Sequence, residues 1–186
     1  MTGSAPDLQD VFDATRPRVS AASLHWDGTQ AGLWQVLAQI SDPEIPVISI
    51  VDLGIVREVA LHGDAVTVTV TPTYAGCPAT DAIRQDIVHA LQAVGLATVQ
   101  VHTRLSPAWT TDWIALPARE ALRAYGIAPP CAVAAADTPR PLRFQPRCPR
   151  CHSPRTALLA PFGATPCKAL YRCEACREPF DYFKPL

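Results

Sequence analysis

The sequence predicts a small mixed α/β domain, about three strands with helices packed on them, followed by a C-terminal β ribbon. Three observations carry this. Helical and strand periodicities alternate between residues 29 and 127. A Pro- and Ala-rich stretch without periodicity follows at 128–143. Beyond it, Cys148-Pro-Arg-Cys151 and Cys173-Glu-Ala-Cys176 form two Cys-x-x-Cys pairs separated by twenty-one residues. The expected division is therefore a poorly ordered arm at 1–28, an α/β domain at 29–127, a semi-rigid linker at 128–143 and a ribbon at 144–186.

Within the first domain, Leu33, Trp34, Leu37 and Ile40 recur at helical spacing, which predicts an amphipathic helix over 29–40. Pro43 and Pro46 must end it, because neither can donate a backbone hydrogen bond. The β-branched run Val47-Ile-Ser-Ile-Val51 reads as strand, interrupted by Asp52-Leu-Gly54. Residues 55–61 then read as a strand, His62-Gly-Asp64 as a hairpin turn and 65–71 as its partner strand. In that partner Val66, Val68 and Val70 alternate with Thr67, Thr69 and Thr71, the period of a half-buried strand. Pro78 suits the first turn of a helix that runs to Val94, and Gly95 caps it. Residues 97–105 predict a third strand, and 112–125 a further helix ended by Gly126. The strand–helix–strand segment should cross over right-handedly.

The 48% apolar and 18% charged residues are those of a soluble globular chain. Charge is polarised: residues 1–136 carry 7 Lys and Arg against 13 Asp and Glu, net −6, and residues 137–186 carry 9 against 4, net +5. The basic residues of the tail stand singly between prolines and cysteines, so neither a nucleic-acid groove nor base-stacking aromatics are predicted. Residues 1–13 show neither a signal peptide nor a membrane span, which points to the cytoplasm. In a reducing compartment seven cysteines imply metal ligation or reactive thiols.

Four of them, Cys148, Cys151, Cys173 and Cys176, have the spacing of a tetrahedral four-thiolate site. A segment of about forty residues buries too little apolar surface to fold unaided, so a structural Zn2+ would serve as its crosslink. An iron–sulfur cluster on the same thiolates, or disulfides, are the alternatives. His152 and Cys167 could each replace a thiolate, but the two pairs suffice without them. Cys77, between Gly76 and Pro78, falls at a helix start, where the macrodipole and free N–H groups should lower a thiol's pKa. Asp42, Glu44, Asp52 and Thr71 come near it if their loops close on one end of the sheet. The plain alternative for Cys77 is a small buried side chain. The five histidines are isolated, and no nucleophile–base–orienter set can be assembled.

Asp42-Pro-Glu-Ile-Pro46, Asp52-Leu-Gly54 and Thr71-Pro72 leading to Gly76-Cys77-Pro78 resemble the motifs of iron–sulfur cluster assembly factors. Trp109-Thr-Thr-Asp-Trp113, Gly126-Ile-Ala-Pro-Pro130, the two Cys pairs, Phe162-Gly163, Cys167-Lys-Ala-Leu-Tyr-Arg-Cys173 and the run from Arg177 to Lys184 resemble the family of D-type subunits of the phenylacetyl-CoA epoxidase (phenylacetate-CoA oxygenase) system. That resemblance implies a non-catalytic accessory or maturation component of a multicomponent di-iron monooxygenase acting in aerobic phenylacetate degradation. Its partners would be the other subunits, including the di-iron oxygenase and the iron–sulfur reductase. It further implies that Cys77 is a functional thiol able to hold iron or an iron–sulfur cluster transiently. A structural subunit and an iron–sulfur electron carrier are the alternative roles. The chain carries neither a Glu-x-x-His pair for a di-iron bundle nor a Gly-x-Gly-x-x-Gly fingerprint.

Overall fold

The computed structural model describes residues 24–130 and 145–186. Most of the expected arm, and the expected linker from residue 131 on, lie outside the described residues, as does Cys131.

Helix α1 spans Gln30–Leu37 and starts where Thr29 Oγ1 accepts the Gly32 N–H at 3.0 Å. It buries Leu33, Val36 and Leu37. It is shorter than its apolar periodicity predicts, because the chain tightens before Pro43: Gln39 and Ile40 donate to Val36 and Leu37, three residues back. The run Val47–Val51 is turn-rich backbone, with only an isolated bridge between Ser41 and Ser49. Ile48 and Ile50 are buried as their composition predicts, yet Ile48 N–H bonds Ile45 O and Leu53 N–H bonds Ser49 O, so no ladder forms. Side-chain chemistry here marks burial; local turns decide the backbone.

Strands β1 (Val56–His62) and β2 (Ala65–Val70) pair antiparallel around Gly63-Asp64, where Gly63 takes φ +59°. Helix α2 (Ala79–Ala93) carries the chain across to β3 (Thr98–Thr103), which lies parallel to β2. The order β1-β2-β3 makes β2 central, with Val66, Val68 and Val70 buried. The helix expected at 112–125 is divided into a 3-10 turn, Thr111–Trp113, and α3, Leu116–Tyr125. Pro117 is the cause: its ring suits a first turn but would meet the carbonyl of Trp113 in a continuous helix. Gly126 closes α3 at φ +98°.

Ile127–Ala128 then forms a short strand, β4, at the start of the stretch expected to be linker. It pairs parallel with β7 (Pro179–Phe183) in a sheet ordered β4-β7-β6-β5, where β5 is Thr156–Ala160 and β6 is Lys168–Cys173. The ribbon sheet therefore begins with residues that follow α3. Its core is Phe180 and Tyr182 with the half-buried Tyr171, whose ring meets theirs at 6.0 and 5.6 Å. Phe183 and Cys167 leave that core and join the one beneath the three-stranded sheet. Phe183 is fully buried and meets Trp109 at 5.9 Å, while Trp109 Nε1 donates to Leu53 O at 3.0 Å.

Truncating Phe183 to Ala should thus destabilise by about 3–5 kcal/mol, as for other buried aromatics. Urea unfolding should show the lowered midpoint. Metal content should stay that of the parent, since Phe183 lies outside the ribbon's own cluster.

Candidate functional site

The two Cys-x-x-Cys turns bring Cys148, Cys151, Cys173 and Cys176 together, with all four sulfurs within 4.8 Å of one another. Cys148–Cys176 and Cys151–Cys173 are 3.7 and 3.5 Å apart. Thiolates on one tetrahedral ion with metal–sulfur bonds of about 2.3 Å sit about 3.8 Å apart, so the donor set fits a single metal ion. A disulfide would require about 2.05 Å. The turns are built alike. The residue after each second cysteine, His152 or Arg177, takes a left-handed φ of 59° or 66°. Cys148 N–H bonds Ser153 O and Cys173 N–H bonds Glu178 O, at 3.0 and 2.9 Å. The Cys176 N–H, aimed at the Cys173 sulfur, leads the interactions that hold that thiol down to about 6. Cys148 and Cys173 are buried, whereas His152 is exposed and stands outside the cluster.

A second site lies between the sheets. A small cleft, partly open to solvent, is lined by Asp42, Glu44, Cys77, Thr80, Cys167 and Phe183 among others. Cys77 reaches it from the turn before α2, whose Thr80 N–H bonds Cys77 O at 3.1 Å. Glu44 reaches it because Asp42 Oδ1 accepts the N–H groups of Glu44 and Ile45, each at 2.9 Å, folding the Asp42–Pro46 loop on itself. Cys167 comes from the ribbon, immediately before β6, with its sulfur 3.0 Å from Thr165 Oγ1. Lys168 follows it, buried, with Nζ 3.7 Å from Asp181 Oδ2.

The expected lowering of the Cys77 pKa is reversed. Burial pushes this thiol up, and Glu44 and Asp42 push it further, against the Ala79 N–H and the Tyr74 hydroxyl. Cys167 is raised by burial too, opposed first by the Thr165 hydroxyl. Glu44 is raised by burial and by Asp42, and lowered by Lys168 and by a hydrogen bond from Thr165. Both cysteines are thus held as thiols at neutral pH beside carboxylates that favour an incoming cation.

Asp52 and Thr71 are not among the lining residues. Asp52 Oδ2 accepts Ser49 Oγ at 2.8 Å, and its carbonyl accepts the Ala115 N–H at 2.9 Å, so it holds the turn against the Trp109–Ala115 segment. Gly54 beside it has φ +75°, and a Cβ there would meet Trp113 Cβ at 2.7 Å, so only glycine fits. Thr71 N–H bonds Ile55 O at 2.8 Å, and its buried hydroxyl has no hydrogen-bond partner among the described residues. Sequence reasoning missed Tyr74, Thr165 and Lys168 as members of the site. Cys167, the cysteine left over by the ribbon, was the available signal.

The fold and these two sites define a thiol protein in two parts, an α/β sheet domain and a four-cysteine β ribbon. Family models match each part: an iron-sulfur cluster assembly protein over residues 30–102 and a PaaD zinc beta ribbon domain over 134–184. The chain is 53% identical over 152 residues to the proposed D-type subunit of the 1,2-phenylacetyl-CoA epoxidase of Escherichia coli, covering 82% of this chain and 90% of that one. It belongs to this family of D-type epoxidase subunits. It is also 36% identical over 86 residues to an Fe-S protein maturation auxiliary factor of Porphyromonas gingivalis, covering 45% of this chain and 81% of that one. A solved domain of unknown function from Bacillus anthracis aligns with a TM-score of 0.47 at 27% identity, covering 50% of this chain and 90% of that one. Among the described residues no helix is long and apolar enough to cross a membrane.

Because the Glu44 charge raises the Cys77 thiol, Glu44→Gln should lower that pKa and increase the thiolate fraction at a given pH. Peptide-resolved alkylation by iodoacetamide at pH 8 should label Cys77 faster in this variant than in the parent. An unchanged or slower rate would contradict the electrostatic role of Glu44.

Proposed function

We propose that this chain is an accessory maturation subunit of a phenylacetyl-CoA epoxidase system, acting in the cytoplasm and assisting the insertion of iron or an iron–sulfur cluster into the oxygenase or its reductase. The observation that carries the reading is Cys77, a thiol at a helix start, lining a cleft with two carboxylates. Membership of the D-type subunit family and likeness to a maturation auxiliary factor support it.

The chemistry follows from the site. Burial and neighbouring anions keep Cys77 protonated until a cation arrives. Iron(II), as cargo, then displaces the S–H proton to solvent and gains a sulfur bond, while the Ala79 N–H and Tyr74 hydroxyl stabilise the thiolate. On transfer to a client the thiol recovers its proton. A thiol whose neutral form is favoured releases its cargo readily, as a carrier needs.

In the ribbon, Cys148, Cys151, Cys173 and Cys176 would hold Zn2+ with all four positions closed by protein, so that the ion crosslinks the fold and leaves no open position for chemistry. This ribbon would dock the client: edge strand β5 and the loop after it expose Leu158, Leu159 and Phe162.

The test is Cys77→Ala co-expressed with the epoxidase subunits. Iron content and activity of the oxygenase should fall well below those with the parent chain, whereas full iron content would defeat the carrier role. Anaerobically purified parent protein should be colourless with one zinc per chain. A chelator strong enough to strip that zinc should lower the thermal midpoint, since metal binding at a ribbon is folding energy. A coloured iron–sulfur chromophore on the ribbon cysteines would instead favour an electron carrier.

A further inference from the structure

Cys167 is a thiol that the ribbon does not use. The four-cysteine cluster is complete without it, and its side chain leaves the ribbon core to join that of the α/β domain. There it lines the same cleft as Cys77, although ninety residues separate the two in the chain. Each sulfur is anchored differently. Cys77 is carried by the turn into α2, and Cys167 is fixed 3.0 Å from the Thr165 hydroxyl, with its carbonyl accepting the Lys184 N–H at 2.9 Å. Glu44 and Asp42 line the cleft with both thiols, and the buried Lys168 beside Cys167 is paired with Asp181 at 3.7 Å. Two thiols and two carboxylates are the donor types that suit a thiophilic divalent cation, soft sulfur for affinity and acidic groups to match its charge. They line one cleft without converging as the ribbon sulfurs do, since among the described residues only those four cysteines bring three or more ligand atoms within 4.8 Å of one another.

We propose that Cys167 is the second sulfur ligand of the Cys77 site, so that a thiophilic divalent cation is taken up between the two sheets by one thiolate from each. This rests on the reading of Cys77 as a metal-holding thiol and adds to it a partner and a stoichiometry. On uptake both S–H bonds break, two protons pass to buffer, two metal–sulfur bonds form, and no electron is transferred. Because one ligand comes from the ribbon, occupation would tie the two sheets more tightly together. A client that draws the ribbon away would weaken the site and free its ion.

Co2+ is the probe. Full-length protein with its ribbon filled by zinc is titrated anaerobically with a phosphine reductant, and zinc content is followed in parallel. The expected result is a further equivalent of cobalt with sulfur-to-metal charge-transfer absorption in the near ultraviolet. Cys167→Ser should weaken its binding by roughly tenfold or more and remove about half of that absorption. Wild-type protein should also show cobalt-dependent protection of both Cys77 and Cys167 from alkylation, read peptide by peptide, which requires no variant to fold. If Cys167→Ser binds with parental affinity and intensity while Cys77→Ser does not bind, or if Cys77 alone is protected, Cys167 is no ligand and the carrier reading of Cys77 stands. If the wild-type protein takes up no cobalt beyond the ribbon, both readings fall.

Discussion

The packing of the ribbon's last strand into the core of the α/β domain is the contact on which the rest of the molecule depends. Phe183 ends β7 fully buried against Trp109, and β4 pairs with β7 directly after α3. The Thr111 N–H reaches the Leu186 carbonyl at 3.2 Å, and Arg119 bonds the carbonyls of Thr111 and Pro130 at 2.6 and 3.1 Å. These contacts join two sheets that could otherwise be independent. They also close one wall of the cleft, because Cys167 enters the shared core along with Phe183.

The chemistry of the cleft is a contest between two effects of known size. A helix start stabilises an anion by roughly 0.3–1 kcal/mol in ordinary settings. Burial can move a pKa by several units at about 1.4 kcal/mol each. For Cys77 burial prevails, helped by Glu44 and Asp42, so the thiol is not the pre-ionised nucleophile that its place before α2 suggests. The same carboxylates that discourage a bare thiolate encourage a cation. A thiol kept protonated is poorly suited to attacking an electrophile. The ribbon is the opposite case: four convergent sulfurs and a Cys173 thiol held low by a backbone N–H make a donor set arranged in advance. One chain thus carries four sulfurs converged on one point and, apart from them, two thiols kept protonated in a cleft beside carboxylates.

Local patterns were legible where one interaction dominates. The valine–threonine alternation of β2, the hairpin turn around Gly63 and the cysteine spacing of the ribbon each encode their outcome within a few residues. His62, expected in the turn, ends β1 paired with Ala65. The prediction failed at Val47–Val51, where β-branched side chains are buried on turns rather than on a strand, because periodicity reports burial and says nothing of where N–H groups bond. It failed again in expecting one helix at 112–125, although Pro117 was in plain view as the residue that divides it.

By itself, then, the sequence determined the fold class and the convergence of the four ribbon cysteines, since each is written in neighbouring residues, and it singled out the Cys77 loop as a candidate. Tertiary structure alone decided which distant groups share that loop's surroundings. It brought in Tyr74, Thr165 and Cys167, and it left Asp52 and Thr71 to hold backbone outside the lining. It also decided the ionisation of Cys77, because desolvation depends on what packs against a thiol, and what packs there comes from opposite ends of the chain.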